Sequence, residues 1–290
     1  MEQFKTFIRK QWLWIAFLLC LLAVFTWSSG GNLVSGAIAC AITAYVNYLI
    51  LKWLLPERAE TLFVRGSNFS KWLLLYLGVA VLMFGLSLAR TGLPESLTID
   101  LGAVITFLIL GAAETFLILG PVLHLMMNRY AQDDVGVFQA VLFTGLAYGL
   151  CYFLYGFMYL TDLQGTAMLT VIAQGLYISL SWMFLATIFL MTENFFLILA
   201  FRMLALVLER GTEAISDAPV GLYTLSSFKG FDCVMVIIFA LAFGVIALNL
   251  STDLPPWPSG DFKKRKKRSA APLPMQNPRL EDHKEPRRKK

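Results

Sequence analysis

Glu114, His124 and Arg202 are ionisable residues lying well inside long apolar stretches, with Glu193 and Asp232 near the ends of two others. Glu114 sits near the middle of Leu101–Met127, an apolar run whose helical length at about 1.5 Å per residue exceeds the roughly 30 Å hydrocarbon core of a bilayer. A carboxylate at that depth costs between roughly 2.5 and 17 kcal/mol, so its presence calls for a compensating partner or a function. Two readings of Glu114 follow. In one it is structural, an internal pair with Arg202 or a protonated carboxyl sharing a hydrogen bond; in the other it is a base or a metal-site acid in a reaction. Hydrolytic zinc chemistry needs several nitrogen, oxygen or sulfur ligands and an open position, and His124 and His283 are the only histidines. No metal site is therefore expected. No Ser-His-Asp set, Cys-His pair, Walker loop or dinucleotide fingerprint occurs either, and no cofactor is expected. The four cysteines, Cys20, Cys40, Cys151 and Cys233, are widely spaced within apolar runs and read as buried thiols rather than disulfides.

The elements that must position these residues are membrane helices. Of 290 residues, 58% are hydrophobic and 15% charged, against about 25% charged in a soluble domain. The expected fold is an all-α polytopic transmembrane bundle of about eight helices over residues 1–250, followed by a disordered Pro-rich and basic tail over 251–290. The expected spans are Trp12–Trp27, Asn32–Leu55, Trp72–Ala89, Leu101–Met127, Val135–Leu160, Thr166–Met191, Phe195–Leu208 and Phe231–Leu250. The connections Pro56–Lys71, Arg90–Asp100, Asn128–Asp134 and Glu209–Gly230 read as loops or turns. A basic start at Lys5, Arg9 and Lys10 precedes the first span, but no small-residue cleavage site follows it, so that span is read as retained.

Thr166–Leu208 is too long for one span, and Thr192-Glu193-Asn194 supplies helix N-cap chemistry to divide it. Gly120-Pro121 should kink the central helix, because Pro121 lacks the N–H that the Leu117 carbonyl would otherwise bond.

Charge sets the orientation. The tail holds 12 basic and 5 acidic residues, whereas the first 250 hold 12 and 14. With both termini cytoplasmic, twenty basic residues fall inside and three outside, in keeping with the positive-inside rule. The expected location is a bacterial cytoplasmic (inner) membrane. The expected partners are the lipid bilayer, anionic lipid at the tail motif Lys263–Arg268 (KKRKKR), and a membrane-protein partner, with no nucleic acid.

Three stretches, in order, resemble the CAAX protease and bacteriocin-processing (CPBP) family of intramembrane proteases. Glu114-Thr-Phe-Leu-Ile-Leu-Gly120 is similar to the family's Glu-Glu-x-x-x-Arg-Gly motif, with Thr115 and Leu119 in place of the second Glu and the Arg. Tyr148-Gly-Leu-Cys-Tyr152 is similar to its Phe-x-x-x-His motif, with Tyr152 where the His would stand. Thr192–Phe201 resembles the Thr-Gly-Asn stretch leading to the last His, with Phe201 at that position and Ala205 in place of Asn or Asp. The resemblance covers about residues 101–208 and implies a helical protease frame. Thr115, Tyr152 and Phe201 cannot supply the paired glutamate and histidine chemistry that activates water.

The chain is therefore expected to be a non-catalytic scaffold or binding protein for a membrane protein, peptide or lipid. Its expected binding residues are Glu114, Tyr148, Tyr152, Asn194 and Arg202, and Glu114, Thr115, Tyr152 and Phe201 are the motif-equivalent positions. The alternatives are an active intramembrane endopeptidase of this type, a transporter or lipid-handling protein using Glu114, and a structural subunit of a larger membrane complex.

Overall fold

A computed structural model describes residues 11–28, 33–63, 69–91, 99–130, 134–159, 166–211, 230–252 and 254. Every element among them is a helix: α1 (Trp12–Ser28), α2 (Leu33–Leu54), α3 (Pro56–Leu62), α4 (Trp72–Thr91) and α5 (Leu101–Leu117) come first. A π-turn over Ile118–Val122 leads into α6 (Leu123–Tyr130), followed by α7 (Asp134–Tyr159), α8 (Thr166–Thr192), α9 (Phe195–Glu209) and α10 (Gly230–Thr252). Six of the helical stretches are long and apolar enough to cross a membrane: Val34–Leu54, Trp72–Ala89, Leu101–Tyr130, Gly136–Met158, Met168–Thr192 and Cys233–Thr252. Leu13–Trp27 is a shorter apolar helix. This is a multi-pass helical architecture of the integral-membrane type. The N-terminal basic segment, most of the Arg90–Asp100 connection, the loop beyond Gly211 and the tail lie outside the described residues.

Pro56–Leu62, expected as part of a polar loop, is a short helix instead, with Ala59 and Leu62 buried. Proline at the first helical position presets the backbone angle, and Ala, Glu and Leu are good helix formers.

Helix starts follow cap chemistry. Asp100 accepts from the Gly102 and Ala103 amides at 2.8 and 3.2 Å to open α5. Asn194 accepts from the Leu197 amide at 3.1 Å to open α9. The reversal into α9 is tight, and Glu193 takes a left-handed φ of 50° that non-glycine residues seldom adopt.

The proline kink takes the form of a π-turn. The Leu123 amide bonds the Ile118 carbonyl five residues back, and Gly120 leaves helical geometry with ψ −108°. Widening the turn relieves the clash of the Pro121 ring with the preceding turn. His124 Nδ1 lies 2.9 Å from the Leu119 carbonyl and 2.8 Å from that of Gly120. Two carbonyl acceptors require Nδ1 to carry the proton, so this histidine completes the backbone of the turn.

Close packing of α7 on α8 is set by residues without side chains. A Cβ at Gly145 would collide with the Ser179 carbonyl, and one at Gly149 with the Ser179 hydroxyl. Glycines four apart let helix backbones approach, which is how helices associate where lipid removes the hydrophobic drive between them. The pairs Gly145–Ser179 and Gly156–Val171 make α7 and α8 antiparallel. The pairs Thr170–Cys233 and Leu180–Gly244 make α8 and α10 parallel.

Candidate functional site: a buried guanidinium cluster

The approach of α9 to α5 decides where the charges meet. Gly111 faces the Met203 backbone so closely that a Cβ there would lie 3.0 Å from the Met203 Cα. Glu114 stands about one turn further along α5 and Arg202 one residue back along α9. Arg202 Nε donates to Glu114 Oε2 at 2.8 Å, and Nη2 lies 2.7 Å from the same oxygen. Tyr148 of α7 donates to the other oxygen, Oε1, at 2.7 Å. Glu114 is 3% exposed and Arg202 4%. Burying an ion pair is tolerated only when the geometry is good and the remaining hydrogen-bonding capacity is used.

The same guanidinium reaches further. Its Nη1 donates to the Tyr76 hydroxyl of α4 at 2.7 Å and to Glu209 Oε2, at the end of α9, at 3.2 Å. Tyr177 of α8 donates to Glu209 Oε1 at 2.8 Å. The Trp182 ring, also on α8, lies 5.5 Å from the guanidinium carbon, a cation–π contact. Trp182 also packs edge-on against Tyr148, as does Trp27 of α1. Behind Tyr76 an aromatic wall of Phe184 and Phe243 closes the cluster towards α10. One cation therefore ties α4, α5, α7, α8 and α9 together.

Of the residues singled out in the sequence, the structure brings Glu114, Tyr148 and Arg202 into direct contact; the side chain of Asp232 lies outside the described residues. Thr115 donates its hydroxyl to the Gly111 carbonyl within its own helix at 2.7 Å. Tyr152 is buried on α7 one turn beyond Tyr148. The Asn194 side-chain oxygen caps α9. Phe201 packs on Phe69 with ring centroids 6.2 Å apart, because adjacent helical residues point about 100° apart and Arg202 takes the inward direction.

Tyr76, Tyr177, Trp182 and Glu209 belong to the cluster without having been singled out. Glu209, expected at the start of a loop, is the last residue of α9. Its spacing of seven from Arg202 places both on one helical face, and that spacing was the signal available for it. Tyr76 and Tyr177 carried no such signal, because nothing in their local sequence separates an inward tyrosine from an interfacial one.

Chemically, the arrangement binds charge more readily than it activates water. Both Glu114 oxygens accept from protein donors, and two of its three contacts come from the Arg202 guanidinium, which stabilises the ionised carboxylate. Among the described residues, no group of three or more His, Cys, Asp or Glu side chains is placed to hold a metal ion. No family model, no curated protein and no solved structure matches the chain.

Proposed function

We propose that this chain is a non-catalytic, multi-pass membrane scaffold, a relative of CAAX-type intramembrane proteases that keeps the helical frame and has lost the hydrolytic set. One observation carries the reading. The residue at the leading glutamate of the protease-like motif, Glu114, is held by Arg202 and Tyr148 in a cross-helix fastening. The positions that would supply histidines hold Tyr152 and Phe201, and Phe201 faces away towards Phe69. The frame then presents its outer and cytoplasmic faces to a membrane protein, peptide or lipid.

The scaffold crosses the membrane eight times with both termini cytoplasmic, in a bacterial inner membrane. The parallel run of α8 and α10 supports this count, since the chain between them must return to the starting side and α9 is the element that does so. The basic tail lies along anionic lipid, at about 1 kcal/mol per basic residue near the surface.

The test is hydrolysis. Full-length protein in phospholipid vesicles, offered membrane-anchored peptides, should cleave none of them above the background of Glu114→Gln. Cleavage that disappears in Glu114→Gln would show an active peptidase and end the scaffold reading.

A further inference from the structure

The Glu114–Arg202 pair does not exhaust the charge in the cluster. Glu209 is a second carboxylate on the same guanidinium, and an excess charge in a shielded interior is costly unless a partner or a proton offsets it. The two carboxylates are held unequally. Glu114 has three short contacts of 2.7, 2.7 and 2.8 Å, two of them to the charged group. Glu209 has two, the Tyr177 phenol at 2.8 Å and Arg202 Nη1 at 3.2 Å, and the same nitrogen also serves Tyr76. Glu209 is also the more open, with its side chain 13% exposed against 5% for Glu114. Arg210 follows it in sequence, but its guanidinium lies 4.7 Å from the Phe107 ring, on the α5 side.

We propose that Glu209 is a proton-binding site. A proton taken from water forms an O–H bond at Oε2, the oxygen that faces Arg202 Nη1, and that Nη1–H hydrogen bond is given up. The Tyr177 hydroxyl continues to donate to Oε1 in both states. Release returns the proton to water and restores the Arg202 contact, so no redox partner is involved. The groups facing the site are Arg202 on α9, Tyr177 on α8, Tyr76 on α4 and, across the guanidinium, Glu114 on α5, with Arg210 adjacent in the chain. Proton uptake thus loosens the tie between Arg202 and the end of α9 while the Glu114 pair stays closed. This goes beyond the scaffold reading, because it concerns neither cleavage nor its absence.

The experiment is infrared difference spectroscopy of the full chain in phospholipid nanodiscs across pH, reading the carbonyl stretch of protonated carboxyl groups as a double difference against Glu209→Gln. The expected result is one titrating band that Glu209→Gln removes. Tyr177→Phe, which keeps the ring and its packing, should retain the band and raise its midpoint by about one pH unit, a tenfold gain in proton affinity, because the ionised form loses a donor. A double difference without a band, or a midpoint unmoved by Tyr177→Phe, would overturn the assignment. A midpoint that shifts with sodium concentration would replace the proton with a metal cation and overturn it equally.

Discussion

The spans Val34–Leu54 and Met168–Thr192 have equal mean hydropathy, yet most of the second is buried and little of the first. In water such a difference would follow from apolar content. In lipid it does not, because a leucine gains little by exchanging a lipid neighbour for a protein one. The difference comes from what each helix offers to its neighbours. α8 presents Gly175 and Ser179 to the glycines of α7, Tyr177 and Trp182 to the charge cluster, and Leu180 and Phe184 to α10. α2 buries a single stripe, Gly36, Cys40, Asn47, Leu51 and Leu54, and leaves Val34, Ile38, Ile42, Leu49 and Trp53 on its outer face. Polar and small side chains, rather than greasy ones, decide which helix is central.

The largest expected effect comes from removing the cation that α8 helps to hold. Arg202→Met strands two buried carboxylates and should cost about 3–5 kcal/mol, read as a lowered melting temperature of the full chain in detergent. Combining it with Glu114→Gln should recover a large part of that loss, since an absent pair is cheaper than a broken one. A single variant as stable as the parent would show that the cluster is not what makes this region central.

Next in size is the α7–α8 seam. Gly149→Ala places a methyl group against Ser179 and Gly175 and should cost about 1–3 kcal/mol in the same melt. An unaffected melt would mean that the seam yields easily and that close packing is not its source of stability. The smallest effect is expected at the outer face of α2, where Ile42→Ala should change stability by no more than about 0.5 kcal/mol. A larger loss there would reveal a protein neighbour where the comparison assumes lipid.

Much of the fold was legible in order of sequence. Each of the eight expected stretches overlaps helix among the described residues, six of them long and apolar enough to cross a membrane, and the division at Thr192–Asn194 falls where Asn194 caps α9. These are local matters, set by apolar run length, cap residues and Pro121, and local chemistry is what a single chain displays. The Glu114–Arg202 pair was legible as one of two readings, because ionisable groups inside apolar runs are few and must find each other. The tyrosines were not. Tyr148 was named through a motif, whereas Tyr76 and Tyr177 became cluster members only because α4 and α8 happen to aim them at one guanidinium.

What the residues dictated by themselves was an all-helical, membrane-type chain, most of its helix limits and the presence of a carboxylate deep in an apolar run, since each depends on neighbours within a few turns. Which helices lie at the centre, which hydroxyls complete the charge cluster and which of two glutamates is loosely held were decided by tertiary structure. Those outcomes depend on residues as many as 126 positions apart, the separation of Tyr76 and Arg202, meeting through the close approaches that Gly111, Gly145 and Gly149 allow.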